Sequence, residues 1–128
     1  MELTMRDFIA VTKALADETR VRILVALKGG ELCVCQVLEL LDLAPSTVSR
    51  HLAVLKQARL IEVRKEGRWL YYRLADSDAP QFAHNAIRWI FASMEKEEKT
   101  VHDAKKLKAI VRMDPGVLCC QQRAESNS

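Results

Sequence analysis

Several features are missing from this sequence, and each absence narrows the class of protein. No apolar run approaches the roughly 20 residues of a membrane-spanning helix, so no membrane association is expected. The first residues, MELTMRDFIA, carry acidic side chains and have no signal-peptide core, which favours a cytoplasmic location. No internal repeat is present, and the formal net charge is only +3. Such mild basicity is compatible with nucleic-acid binding but does not by itself indicate it.

Cysteine is scarce and unevenly placed. The four cysteines form two tight pairs, Cys33/Cys35 and Cys119/Cys120. In a cytoplasmic protein we expect reduced thiols or metal ligands rather than structural disulfides. Neither pair has the Cys-x-x-Cys spacing of a zinc knuckle, which disfavours a zinc-binding adaptor. All four cysteines are therefore candidate ligands for a softer ion.

The residues that a thiol enzyme would need are also missing. A thiol-dependent reductase or phosphatase requires a nucleophilic cysteine in a phosphate-cradling loop that ends in arginine. Glu39 lies six residues after Cys33, and Leu41 lies six residues after Cys35, so neither position supplies a positive charge. We therefore predict that the chain is not an enzyme.

Signals for helix ends divide the first part of the chain into four predicted helices. The sequence Thr4-Met5-Arg6-Asp7 fits a capping box, and Asp17 is the expected N-cap of a second helix that Gly29-Gly30 ends. The third helix carries the first cysteine pair and an apolar face made up of Val34, Val37, Leu38 and Leu41. Pro45 suits the first position of a fourth helix, because its missing N–H would have no partner there.

The fourth helix has one apolar face and one polar face. The apolar face is formed by Val48, Leu52 and Leu55. The opposite face and its edge carry Ser46, Thr47, Ser49, Arg50, His51 and Lys56. Short hydroxyl side chains allow close approach to a phosphate or a groove, and Arg50 can then reach a base edge or a phosphate. Taken alone, the solvated face of an ordinary amphipathic helix explains the same pattern.

A hairpin with a basic tip is predicted after this helix. Residues 60–65 alternate like a strand, Glu66-Gly67-Arg68 form a turn, and residues 69–74 are an aromatic-rich second strand. Lys65 and Arg68 lie at or near the tip. This order predicts a winged helix-turn-helix, mainly α with a small β-hairpin, whose fourth helix enters the major groove while the wing contacts the backbone or minor groove. A purely structural hairpin, packed through Trp69 and Tyr71, is the alternative.

The last predicted helix runs from residue 80 to about residue 113. Its apolar stripe consists of Phe82, Ala86, Trp89, Ile90 and Ser93. A second copy of the chain, assisted by the first helix, is the simplest cover for this stripe, and packing against its own domain is the alternative. We therefore expect a homodimer through the first and last helices. A DNA-binding and dimerisation domain would span residues 1–113, and a tail carrying the second cysteine pair would span residues 114–128.

Four segments together resemble the ArsR family of metal-responsive winged-helix repressors. The segment ALADETRVRILVAL is similar to the second helix of that family, ELCVCQV to its thiol metal box, STVSRHLAVLKQARLI to its recognition helix and GRWLYYRL to its wing. The resemblance covers roughly residues 5–95, a whole single domain. It implies a homodimer that binds an inverted-repeat operator in double-stranded DNA, represses when metal-free and dissociates when metal binds.

The ligand set departs from the patterns of that family. Its arsenic sensors often place a third cysteine three residues after the second, where this chain has Leu38. Its cadmium and lead sensors add cysteines from an N-terminal extension, and no cysteine precedes Cys33 here. Its zinc and nickel sensors use ligands along the last helix, whose spacing His84 and His102 do not match. By elimination, the tail cysteines are the available completing ligands.

The chemistry of thiolates leaves several inducers open. Trivalent arsenic or antimony, bound by three thiolates in a pyramid, is the leading hypothesis, with Cys33, Cys35 and one of Cys119 and Cys120 as ligands. The alternatives are cadmium, lead or zinc as the ion, an organoarsenical that needs two thiolates, or a redox switch through a disulfide. Residues two apart project about 200° apart on an ideal helix. Either Cys33 therefore lies before the helix in an extended conformation, or binding unwinds the first turn.

Overall fold

Helices and one small antiparallel sheet account for the described part of the chain, residues 3–114 and 116–118 of this computed structural model. The elements in order are α1 (Met5–Leu15), α2 (Glu18–Ala26), a 3-10 turn (Leu27–Gly29), β1 (Leu32–Cys33), α3 (Val34–Leu41), α4 (Pro45–Gln57), β2 (Ile61–Glu66), β3 (Trp69–Leu74), α5 (Gln81–Met94) and α6 (Glu98–Ile110). The predicted fold class, mainly α with a small β component, is confirmed. Cys119 and Cys120 lie outside the described residues.

The predicted helix starts are present as hydrogen bonds. Thr4 Oγ1 accepts from the Asp7 backbone N–H at 3.1 Å, and the Asp7 carboxylate accepts from the Thr4 N–H at 3.2 Å. Asp17 caps α2 by accepting from the Arg20 N–H at 3.2 Å. Pro45 occupies the first turn of α4. These caps form as expected because they involve residues only three positions apart.

The core lies where α2, α4 and the sheet meet. Val48, Leu52 and Leu55 of α4 are all buried, as the periodicity predicts, and they pack with Ile23 and Leu24 of α2. Burying side chains of this size contributes roughly 1.5–3 kcal/mol each. The apolar face of α4 is thereby fixed against the domain, and its polar face is left outside.

The sheet has a third strand that the sequence did not predict. The hairpin pairs β2 with β3 from Ile61↔Leu74 to Glu66↔Trp69, with Gly67 in the turn at a φ of 62°. On the other edge of β3, the two-residue strand β1 pairs antiparallel with it. So short a strand shows no alternation of polar and apolar residues, which is why the pattern did not indicate it.

The prediction of one continuous helix from residue 80 to 113 is wrong. The chain forms α5 and α6 instead, with a break at residues 95–97. Glu97 is the N-cap of α6, and its carboxylate accepts from the backbone N–H groups of Lys99 at 2.8 Å and Thr100 at 3.4 Å. The Thr100 hydroxyl also donates to the Met94 carbonyl at 2.6 Å, across the break. The cap was missed because Glu97 stands within a run of charged residues.

The second of these helices packs on its own domain, as in the alternative that the sequence left open for this segment. Asp103 is 6% exposed and accepts from Arg22 of α2 in a bidentate pair at 2.8 and 3.0 Å. Lys106 donates to the carbonyl of Leu40, near the end of α3, at 3.1 Å. Two polar contacts thus attach α6 to α2 and α3.

Uncovered apolar side chains remain on α1 and α5. Met5 and Phe8 of α1 are 77% and 51% exposed, and Trp89 of α5 is 65% exposed. In the predicted stripe, Ile90 is buried whereas Trp89 is not, because Ala83, Ile87 and Ile90 form the inward face of α5. Among the described residues, no helix is long and apolar enough to cross a membrane.

Candidate metal centre and nucleic-acid interface

The first thiol lies before the helix and not within it. Cys33 is the N-cap of α3, with φ −78° and ψ 157°, and it lies opposite Tyr71 in the sheet. Its backbone N–H donates to Gln36 Oε1 at 2.8 Å, and its free thiol is fully buried. Of the two predicted alternatives, the structure has the extended one. The opposed projection of an ideal helix therefore does not apply to the two thiols.

The second thiol belongs to the same apolar cluster. Cys35 is 7% exposed, and its cluster contains Cys33, Leu40, Ile110 and Leu118. Cys35 is disulfide-bonded, which corrects the expectation that the cysteines are reduced thiols or metal ligands, whereas the Cys33 thiol is free. Within the described residues, no group of three His, Cys, Asp or Glu side chains is placed to hold a metal ion. Cys33 and Cys35 therefore lie together in one buried apolar cluster, and their role as metal ligands stays a prediction.

Leu118 brings the start of the tail to these thiols. It is 1% exposed and packs in the cluster around Cys33 and Cys35, whereas the preceding Val117 is 51% exposed. In sequence, Leu118 immediately precedes Cys119 and Cys120. The described part of the chain therefore reaches the thiol cluster at residue 118.

Strand β3 of the wing packs against the same cluster. Trp69 and Tyr71 of β3 contact it from the sheet side. Just before β1, the Glu31 carboxylate accepts two hydrogen bonds from Arg64 of β2, at 2.8 and 2.6 Å. This pairing with Arg64 lowers the pKa of Glu31. The Arg64 guanidinium also lies 4.5 Å above the Tyr71 ring. The thiol segment is consequently attached to both strands of the wing.

The structure gives a position to each residue predicted to contact DNA. On α4, Ser46, Ser49, Arg50 and Lys56 are exposed, and Thr47 and His51 are half-buried. On the wing, Lys65 and Arg68 are exposed, and the Arg68 guanidinium lies 5.2 Å above the Trp69 ring. One helix face and one hairpin thus present cationic and hydroxyl groups that suit a phosphate backbone.

Two long-range contacts connect these parts, and of the four residues that form them the sequence predicted only His51 as a site residue. Glu31 and Arg64 are 33 positions apart, and Arg20 and His51 are 31 positions apart. No local periodicity or spacing relates such pairs, so no sequence signal could have identified either contact. Glu31, Arg64 and Arg20 are absent from the predicted site because each contact joins segments more than 30 residues apart.

The sequence and the fold are similar to those of known regulators. Residues 17–63 match the profile described as "Bacterial regulatory protein, arsR family". An arsenical resistance operon repressor of Escherichia coli K12 is 39% identical over 105 residues, which cover 81% of this chain and 81% of that protein. A cadmium resistance regulatory protein CadC homolog of Staphylococcus aureus is 42% identical over 82 residues, covering 63% of this chain and 68% of that protein.

A solved structure agrees with this assignment. It is a winged helix-turn-helix DNA-binding domain from Mycobacterium bovis, described as homodimeric and as a possible ArsR-family regulator. The two chains superpose with a TM-score of 0.60 at 28% identity, over 76% of this chain and 83% of that one. Three findings indicate the same family: the profile match from α2 to β2, the identity with the Escherichia coli relative, and the winged fold. This chain therefore belongs to the ArsR family of bacterial regulatory proteins and is a transcriptional regulator, not an enzyme.

Proposed function

We propose that this chain is a transcriptional repressor that releases its operator when trivalent arsenic or antimony binds its cysteine thiolates. The observation that carries the proposal is the position of Cys33 and Cys35 at the junction of β1 and α3. There, Cys33 pairs with the wing strand, and Cys35 lies in the first turn of the helix that precedes α4. The relatives named for arsenical and cadmium resistance support a soft inducer.

One tail cysteine completes the ligand set in this proposal. Trivalent arsenic needs three soft donors in a pyramid, and Cys33 and Cys35 supply two. The packing of Leu118 in the thiol cluster supports a third from Cys119 or Cys120. Adjacent cysteines rarely face one ion without backbone strain, so one of the two is expected to dominate.

The DNA interface in this proposal combines α4 with the wing. Ser46, Ser49 and Arg50 approach the major groove, while Lys65 and Arg68 contact the backbone or minor groove. The exposed apolar residues of α1 and α5 are covered by a second copy of the chain, as the homodimeric relative suggests. Two copies related by a twofold axis bind an inverted repeat.

Metal binding and DNA release are coupled through the segment that carries the thiols. Drawing three sulfur atoms around one ion moves β1 and the start of α3. This movement disturbs the pairing with β3 on one side and the packing of α3 against α4 on the other. A typical coupling of about 1–3 kcal/mol corresponds to a loss of operator affinity of roughly 5- to 150-fold.

Two observations favour particular alternatives. The Staphylococcus aureus relative is named for cadmium resistance, which favours cadmium or lead at the same thiols. The disulfide of Cys35 favours a switch in which oxidation, and not metal, changes the wing. An organoarsenical that binds two thiolates remains a third inducer of the same site. In each case the location is cytoplasmic, where the thiols can return to the reduced state.

Fluorescence anisotropy on reduced protein tests the proposal. The operator is first selected from a random duplex library with metal-free protein and is then labelled. Tight binding at fixed salt that arsenite releases, and zinc does not, supports the metalloid repressor. Release by cadmium alone or by peroxide alone favours the corresponding alternative. Failure to select any duplex contradicts the proposed repressor function.

A further inference from the structure

We propose that Arg20 holds His51 of α4 in the neutral tautomer that carries its proton on Nε2, and that this N–H donates a hydrogen bond to DNA. The first half concerns the protein alone. The second half depends on the proposed function, since it requires α4 to face DNA. Arg20 is in this view a positioning residue that acts on DNA binding through His51.

The guanidinium of Arg20 is fixed in place by the end of α1. Its Nε donates to the Ala14 carbonyl at 2.9 Å, and its Nη2 donates to the Lys13 carbonyl at 2.8 Å. Its Nη1 lies 3.2 Å from His51 Nδ1. The group therefore cannot turn away from the imidazole without giving up two hydrogen bonds that also satisfy carbonyls at the end of α1.

The chemistry of the two groups decides where the imidazole proton lies. A guanidinium has only N–H donors and remains charged, so it can bond to Nδ1 only if that atom offers a lone pair. The neutral ring then carries its proton on Nε2. The other charged group facing the ring, the Asp17 carboxylate, lies 3.9 Å from Nδ1, which is too long for a hydrogen bond. Arg20 is thus the partner that selects the tautomer.

The position of His51 on α4 would allow the Nε2–H to donate a hydrogen bond to DNA. Its side chain is 17% exposed at the edge of the α4 face that carries Ser46, Ser49 and Arg50. Among the described residues, the imidazole ring of His51 has no hydrogen-bond partner other than Arg20. Nδ1 is the ring nitrogen that faces Arg20, and Nε2 is the one farther from Cβ. A donor there suits a phosphate oxygen, the commonest acceptor at protein–DNA interfaces.

The tautomer is measurable without DNA. Long-range proton–nitrogen correlation spectra of the reduced full-length protein distinguish the two neutral imidazole forms. The chain has three histidines, so loss of one signal in His51→Gln assigns the ring. We expect the Nε2–H form in the wild type and a shift toward the Nδ1–H form in Arg20→Met. A wild-type ring with its proton on Nδ1 would overturn the proposal, whether or not Arg20→Met folds.

Two substitutions of His51 test the contact with DNA. The amide N–H of glutamine reaches the place of Nε2, whereas that of asparagine reaches the place of Nδ1. We expect His51→Gln to bind operator within about twofold of wild type, and His51→Asn to lose roughly 2- to 10-fold, the range for one hydrogen bond. Equal affinities for the two variants would overturn the DNA contact while leaving the tautomer assignment intact.

A double variant separates positioning from a structural role. Arg20→Met should weaken operator binding as much as His51→Asn does. Adding His51→Gln to Arg20→Met should restore binding, because glutamine needs no partner to select a tautomer. Persistent loss in the double variant would mean that Arg20 acts only on folding. If the wild type selects no duplex at all, the proposed function fails, and the tautomer result is unaffected.

Discussion

Cys33 lies directly opposite Tyr71 in the antiparallel pairing of β1 with β3. A residue with a buried thiol is thus paired directly with a residue of the wing. We expect a displacement of Cys33 to displace β3 as well. Glu31 and Arg64 reinforce the same connection by a bidentate hydrogen bond two residues before Cys33. In the proposed repressor, metal binding can therefore affect the wing through the sheet as well as α4 through α3.

Replacing either thiol of the first pair should separate repression from induction. Cys33→Ser and Cys35→Ser should each bind operator nearly as wild type does but should not be released by arsenite, because a hydroxyl is a poor ligand for soft ions. Anisotropy with and without arsenite measures both effects. Release of either variant at the wild-type arsenite concentration would show that the sensor lies elsewhere.

The tail cysteines should determine the number of sulfur ligands. In the combined Cys119→Ser and Cys120→Ser variant, arsenic should be bound by two sulfur atoms and not three, as counted by X-ray absorption spectroscopy. The single variants then identify the dominant ligand. Three sulfur ligands in the combined variant would exclude the tail from the site.

The anchoring of the tail can be tested apart from its thiols. Leu118→Ala should weaken arsenite binding about tenfold or more, since a buried leucine typically contributes about 2–5 kcal/mol and its loss would release the tail. Val117→Ala is the matched control, because Val117 is half exposed beside it. Titration calorimetry on reduced protein provides the comparison. Equal arsenite affinities in the two variants would contradict the anchoring.

Weakening the attachment of the thiol segment to the wing should reduce the coupling. Glu31→Gln should lower the ratio of operator affinities without and with arsenite by up to about fivefold, the range for a partly exposed ion pair. Glu62→Gln is the control, because Glu62 pairs with Arg73 at 3.0 Å within the hairpin and does not reach β1. An equal loss in both variants would indicate a general effect of charge.

The pH dependence of this contact follows from the lowered pKa of Glu31. Because the folded-state pKa is below that of the unfolded chain, the contribution is fully present above the ordinary carboxyl range and is lost as the pH falls through the lowered value. Glu31→Gln should therefore differ from wild type at neutral pH, and the difference should disappear in acid. Anisotropy at a series of pH values measures this convergence.

The exposed arginine of α4 should matter for DNA and not for metal. Arg50→Ala should weaken operator binding by roughly 5- to 150-fold, since a good arginine contact to a base is worth about 1–3 kcal/mol. Its arsenite affinity should not change. Lys105→Ala removes one positive charge from the exposed side of α6 and serves as the control. Operator binding by Arg50→Ala equal to that of the control would remove α4 from the interface.

The amino-acid sequence alone determined the features that depend on local interactions, such as helix caps, buried helix faces and turns. Several features involve residues only a few positions apart. They are the capping box of Thr4 and Asp7, the buried face of α4, the turn at Gly67 and the spacing of the first cysteine pair. The spacing also limited Cys33 to two conformations. Such features depend on backbone geometry and on apolar periodicity, and both can be recognised in a short stretch of sequence.

Contacts between distant segments decided the rest. Three contacts join residues from 31 to 81 positions apart. They are the pairing of β1 with β3, the packing of α6 on α2 through Arg22 and Asp103, and the hydrogen bond from Arg20 to His51. The two-residue strand forms along an edge of β3, and the charged helix α6 packs inward with Asp103 paired to Arg22. These partners are brought together by the packing of the core, so no local pattern in the sequence identifies them.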